Sequence, residues 1–156
     1  MDIVTVVVDR GDVYEEVAKA SDYTGSKLIG EDEGARDRIL ATDEDLAEMG
    51  RLWDEATAGA NDCLKEMLVR GGTVDLDSGG GKGYEAVLEV SGGYDKELTG
   101  SVREALRGFI ISYIISGWFA YTNKGEAEVY AARATEWLGM ARGLLYTRRR
   151  PARPTD

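Results

Sequence analysis

Apolar residues return at three- and four-residue steps over long parts of this chain, the spacing of a single buried helix face. The clearest run follows Thr42-Asp43-Glu44-Asp45, where Thr42 with Asp45 three residues on forms a variant of the capping box. Leu46, Met49, Leu52 or Trp53, Ala56, Ala60, Leu64, Met67 and Leu68 then mark one amphipathic helix to about Val69, stopped by Gly71-Gly72. Gly59 inside it costs about 1 kcal/mol relative to Ala and leaves room for a close helix contact. A second run, Ser101 to Thr122 with Thr99 as its cap, is apolar on most sides and reads as a buried central helix. Asn123-Lys124-Gly125 is a turn. Glu126 to Tyr146 is the last helix, its apolar side formed by Val129, Tyr130, Ala134, Trp137, Leu138, Ala141, Leu144 and Leu145. So short a turn makes the last two helices antiparallel neighbours.

The rest of the chain is less regular. Ile3 to Val8 is a β-branched run, a short strand or extended arm that Asp9, Arg10 and Gly11 end. Asp12 caps a helix over Val13 to Ala20, extending toward Leu28, with Glu15 and Glu16 in its first turn. Glu31-Asp32-Glu33-Gly34 reads as a solvated acidic loop and Ala35 to Ala41 as a short helical turn. Gly71 to Gly83 reads as a flexible glycine-rich loop, and Tyr84 to Val90 as a short extended segment. The pattern therefore predicts a mainly α fold: a bundle of three to four helices around the central helix at about 101–122, with one or two short strand-like segments. One helical domain covers 1–147, with a strand or arm at 1–11 and the loop at 71–98. Residues 148–156 form a basic flexible tail.

Composition narrows the chemistry. At 43% hydrophobic and 31% charged, the 156 residues suit one globular domain. There is no histidine, so no Ser-His or Cys-His dyad and no histidine metal site exists. Cys63 is the single cysteine; it excludes an internal disulfide and a thiolate zinc site, and reads as a small hydrophobe on or beside its helix face. Ser78-Gly79-Gly80-Gly81-Lys82-Gly83 departs from a phosphate loop, because Leu76 replaces the first glycine and Gly83 the hydroxyl residue. Asp75-Leu76-Asp77-Ser78-Gly79 opens like a calcium loop, but Ala86 stands where its glutamate belongs. Trp53, Trp118 and Trp137 fall on apolar helix faces and read as core. No carboxylate pair is marked out, so neither a catalytic residue nor a cofactor or metal site is assigned. The N-terminus lacks the basic region of a signal peptide, and the uncharged part of the central helix, Gly108 to Asn123, is shorter than the ~20 residues of a membrane span.

Charge is divided unevenly. Residues 1–50 carry a net −9, residues 51–100 a net −5 and residues 101–156 a net +4, within a total of −10. That total argues against general nucleic-acid binding. The positive part is concentrated in Arg148, Arg149, Arg150 and Arg153, punctuated by Pro151 and Pro154. These four arginines are the candidate partner-binding residues: a docking arm for an acidic protein surface or, as a lesser reading, for DNA phosphates.

The stretch from Phe109 through Trp118, Phe119, Gly125 and Tyr130, followed by Leu145-Tyr146-Thr147-Arg148-Arg149-Arg150-Pro151, resembles small uncharacterised proteins of Bacteroides-type prophages. The helix order, a helix near Leu46 to Val69, a loop, then a helical hairpin, resembles phage head-tail connector and neck proteins. The resemblance implies a virion-assembly structural protein, a head-tail connector or tail-completion subunit forming a ring by protein contacts, in the virion or the bacterial cytoplasm. Its implied partners are further copies of itself and portal or tail proteins, with no small-molecule substrate and no membrane. An acidic face from residues 1–70 would meet the arginine end of the next subunit. A cytoplasmic helical adaptor or regulator is the alternative, and a small helical-bundle enzyme a third.

Overall fold

A computed structural model of the chain describes residues 1–29, 43–76 and 81–150. Strand β1 spans Asp2–Asp9 and leads directly into helix α1, Arg10–Ile29. Helix α2, Asp43–Leu64, is followed by strands β2, Leu68–Asp75, and β3, Lys82–Val90. A short 3-10 turn at Lys96–Leu98 precedes helices α3, Thr99–Phe119, and α4, Lys124–Leu145. The expected acidic loop at 31–34, the helical turn at 35–41, the Thr42 cap, Ser78 to Gly80, Pro151, Arg153 and Pro154 lie outside the described residues.

The mainly α bundle is corrected to a mixed α/β fold. β1 and β2 flank β3 in a three-stranded antiparallel sheet of order β1-β3-β2. In β1 the alternation puts Val4, Val6 and Val8 inside, facing Leu88, Ala86 and Tyr84 of β3. With Val90, these residues form the sheet's buried face, against α1, α2 and α3. α4 packs along α3 on the side away from the sheet.

β2 is the element that helical spacing concealed. Leu64 ends α2, the Met67 N–H donates to the Leu64 carbonyl at 3.0 Å, and Leu68 already pairs with Leu88. The expected helix to Val69 is thus five residues too long. Gly71-Gly72, expected to stop a helix and open a loop, lies inside the strand. A β-carbon on Gly71 would collide with the Asn61 side-chain oxygen, so glycine is what lets β2 approach α2. Asn61 uses that proximity: its amide donates to the Gly71 carbonyl at 3.2 Å and its oxygen accepts from the Tyr84 hydroxyl at 2.6 Å. Trp53, wholly buried, donates from its indole N–H to the Thr73 hydroxyl at 2.9 Å.

Two caps differ from expectation. Asp9, not Asp12, caps α1: its carboxylate accepts from the Gly11 and Asp12 N–H groups at 2.8 and 3.3 Å. Thr99 makes no cap bond; its hydroxyl meets the Tyr94 hydroxyl at 3.0 Å, and α3 begins without a side-chain cap. Asn123 caps α4 by accepting from the Glu126 N–H at 3.2 Å. α4 buries Ala127, Ala134, Ala141 and Leu145. The alanine spaced every seventh residue brings α4 close enough for the Ser116 hydroxyl of α3 to donate to the Ala127 carbonyl at 2.8 Å. Val129, expected on this side, is exposed.

Candidate interaction surface

The arginines expected to form a free arm begin on a fixed anchor. Arg148 forms an antiparallel bridge with Tyr94, and the Arg149 N–H donates to the Gly93 carbonyl at 2.6 Å. The Arg148 stem lies against Gly93, 3.7 Å from where a β-carbon would sit. Just before them, the Tyr146 hydroxyl donates to Glu66 at 2.7 Å, and the Arg142 guanidinium sits 4.0 Å from the same carboxylate. The hydrogen bond to Glu66 raises the Tyr146 pKa above its ordinary value. Chain exit from α4 is therefore tied to the turn after α2 and to the turn after β3. Arg148, Arg149 and Arg150 are all exposed at this end. Arg149 lines a hollow of about 270 Å³ with Asp2 and Lys96, which pair at 3.8 Å. Arg153 lies outside the described residues.

The second feature is the sheet itself, which the sequence did not disclose as a surface. Its helix-distant face carries Ile3, Thr5 and Val7 from β1 and Glu85, Val87 and Glu89 from β3, by alternation with the buried set. Arg70 of β2 reaches across it to Glu85 at 3.1 Å. Ile3 and Val69 are 59% and 58% exposed. Both strand edges follow from the order β1-β3-β2. The β-branched run of β1 reads as a short strand or extended arm, and the sequence carries no signal for which strand takes the centre.

A third feature clamps α1 to α3. Arg107 contacts Asp12 at 2.6 Å, Glu16 at 3.8 Å and Glu104 at 3.9 Å. The Arg107 hydrogen bond holds the Asp12 carboxyl below the usual carboxylate range. This is a structural tie: one guanidinium collects carboxylates from two helices. Between α2 and α4, over α3, runs an apolar groove of about 460 Å³ whose walls include Leu52, Phe109, Ala127 and Leu138.

The sequence motifs resolve plainly. Lys82 pairs with Asp75 at 2.7 Å where β2 ends and β3 begins, and that contact lowers the Asp75 pKa. Ala86 is buried in β3 against the helices. Among the described residues no group of three or more Cys, Asp or Glu side chains is arranged to hold a metal ion. Burial pushes the half-buried Cys63 thiol up, away from a reactive thiolate. Trp53 is core, while Trp118 and Trp137 are half-buried against it. No helix among the described residues is long and apolar enough to cross a membrane. No family model, no curated protein and no solved structure matches this chain.

Proposed function

We propose that this chain is a structural subunit of a phage or prophage virion, of the head-tail connector or tail-completion kind, that assembles into a ring by protein-protein contact. The observation that carries this reading is the anchored arginine end. Arg148 and Arg149 are held by backbone bonds on the turn after β3, so a group of cations is presented from a fixed place on an acidic body. Exposed Glu15 on α1 and Asp54, Glu55 and Asp62 on α2 offer the complementary charge on the next copy. A patch that meets a different patch on an identical neighbour makes a heterologous contact, which closes into a ring when the rotation permits. The C-terminal resemblance to prophage proteins supplies the virion setting, with portal or tail proteins as the outer partners.

The experiment is mass measurement by light scattering at low and high salt. The wild type forms a multi-subunit species at low salt that dissociates as salt rises. The variant with Arg148, Arg149, Arg150 and Arg153 all changed to Glu does not form it. A mass unaffected by these substitutions overturns the ring reading. Presence of the chain in purified particles tests the virion setting; its absence there favours an adaptor in the cytoplasm.

A further inference from the structure

β1 is a sheet edge that lacks the usual features keeping edges apart. Its interior, Ile3 to Val8, has no charge, no proline, no glycine and an unbroken register with β3. The opposite edge, β2, is interrupted by the irregularity between Leu68 and Arg70, by Gly71-Gly72 and by the Arg70 charge. Among the described residues no strand lies on the outer side of β1.

We propose that β1 pairs with β1 of a second copy, antiparallel about a twofold axis at Thr5, joining two three-stranded sheets into one of six strands. The strand is self-complementary in that register. Val4 meets Val6 of the second copy on the helix-packed face, while Ile3 meets Val7 and Thr5 meets Thr5 on the open face. Both faces continue across the axis, which a one-residue slip would destroy. Asp2 falls opposite Val8, and Asp9 lies beyond the paired segment, so no like charges oppose each other. Arg103 of α3 lines the hollow beside Val7, Val8 and Asp9. It is exposed and makes no ion pair among the described residues, whereas Asp12 and Glu104 in the same hollow are engaged by Arg107. Asp2 of the second copy, held only at 3.8 Å by its own Lys96, arrives at Arg103, and symmetry repeats the contact. Pairing over residues 2–8 supplies about six to eight backbone hydrogen bonds.

This inference rests on the reading of the chain as a self-assembling subunit and names a second, isologous contact within it. The two contacts respond oppositely to salt. The β1 pair is held chiefly by backbone hydrogen bonds and apolar side chains between two copies of net −10, so rising salt tightens it despite its two exposed Asp2–Arg103 contacts, while it loosens the arginine contact.

The test places Thr5→Cys in a Cys63→Ser background and oxidises it mildly. A disulfide-linked dimer is expected, with Val69→Cys on the other edge remaining monomeric under the same conditions. In sedimentation, the wild type dimerises more tightly as sodium chloride rises. Thr5→Lys, an exposed position, weakens that dimer by about tenfold or more with an unchanged circular dichroism spectrum. Cross-linking no greater at position 5 than at 69, or a dimer indifferent to Thr5→Lys, overturns the proposal. If the arginine-dependent species then persists at low salt, the edge pairing alone is struck out; if it too is absent, both readings fall.

Discussion

Helix α2 packs on its two sides by two different kinds of fit. Toward the sheet it uses hydrogen bonds: Trp53 to Thr73, Asn61 to Gly71, and Tyr84 to Asn61. Toward α3 it uses shape. Buried Leu52 sits where a side chain on Gly117 would be, and the Phe109 ring rests against Gly59 at 3.3 Å from a would-be β-carbon. The difference follows from the partners. β2 contains Gly71, Gly72 and Thr73 and has little apolar surface to offer, so polar rungs hold it. α3 is apolar nearly all round and is held by interdigitation, in which glycines are the holes.

The contrast can be broken by substitutions on each side. Gly117→Val carries the largest expected effect, because the added side chain would overlap the methyl groups of Leu52, which is only 2% exposed. Overpacking there should cost about 3 kcal/mol, lowering the thermal midpoint by about 6–12 °C in calorimetry. Gly59→Ala is the control: only the far edge of the Phe109 ring must give, and the gain in helix propensity offsets it, so stability should stay within about 0.5 kcal/mol. On the polar side, Asn61→Ala leaves the Tyr84 hydroxyl and the Gly71 carbonyl without their partner and should cost about 2 kcal/mol in urea unfolding. Adding Tyr84→Phe should cost less than its single-variant value, since the hydroxyl it removes is already unpaired. If Asn61→Ala proves more damaging than Gly117→Val, the distinction between a latched side and a shaped side fails.

The smallest effect belongs to the clamp between α1 and α3, which depends on pH. Arg107 depresses the Asp12 pKa in the folded chain. Its contribution is therefore complete above the unfolded carboxylate value of about 3.9 and is lost as pH falls through the lower folded value. Asp12 is nearly half exposed, so the clamp contributes well under about 1 kcal/mol. Asp12→Asn should lose stability less steeply than the wild type between about pH 4 and pH 2, as followed by circular dichroism in acid titration.

Much of the helical framework was legible. The spacing of Met49, Leu52, Ala56, Ala60 and Leu64 marks the buried side of α2, and the apolar density of 106–121 marks α3 as the centre. β2 was not legible, because Met67 and Leu68 continue the helical spacing and two glycines follow; only hydrogen bonding to β3 makes that segment a strand. The same limit applies to the interaction surface. Arg148 to Arg150 can be recognised as exposed cations, but the anchorage of Arg148 and Arg149 at Tyr94 and Gly93 is a pairing between residues some fifty positions apart.

By itself the sequence determined the helical periods, the strand character of Ile3 to Val8, the acidic body with its arginine end, and the exclusion of imidazole chemistry. Each of these is a property of local side-chain pitch or of composition. Tertiary structure alone decided that Gly71, Gly108 and Gly117 are places of close approach, that Asp12 binds Arg107 rather than capping α1, and that β1 lies at an edge. The reason is that a strand's place in a sheet, like the space above a glycine, is set by atoms supplied from distant parts of the chain.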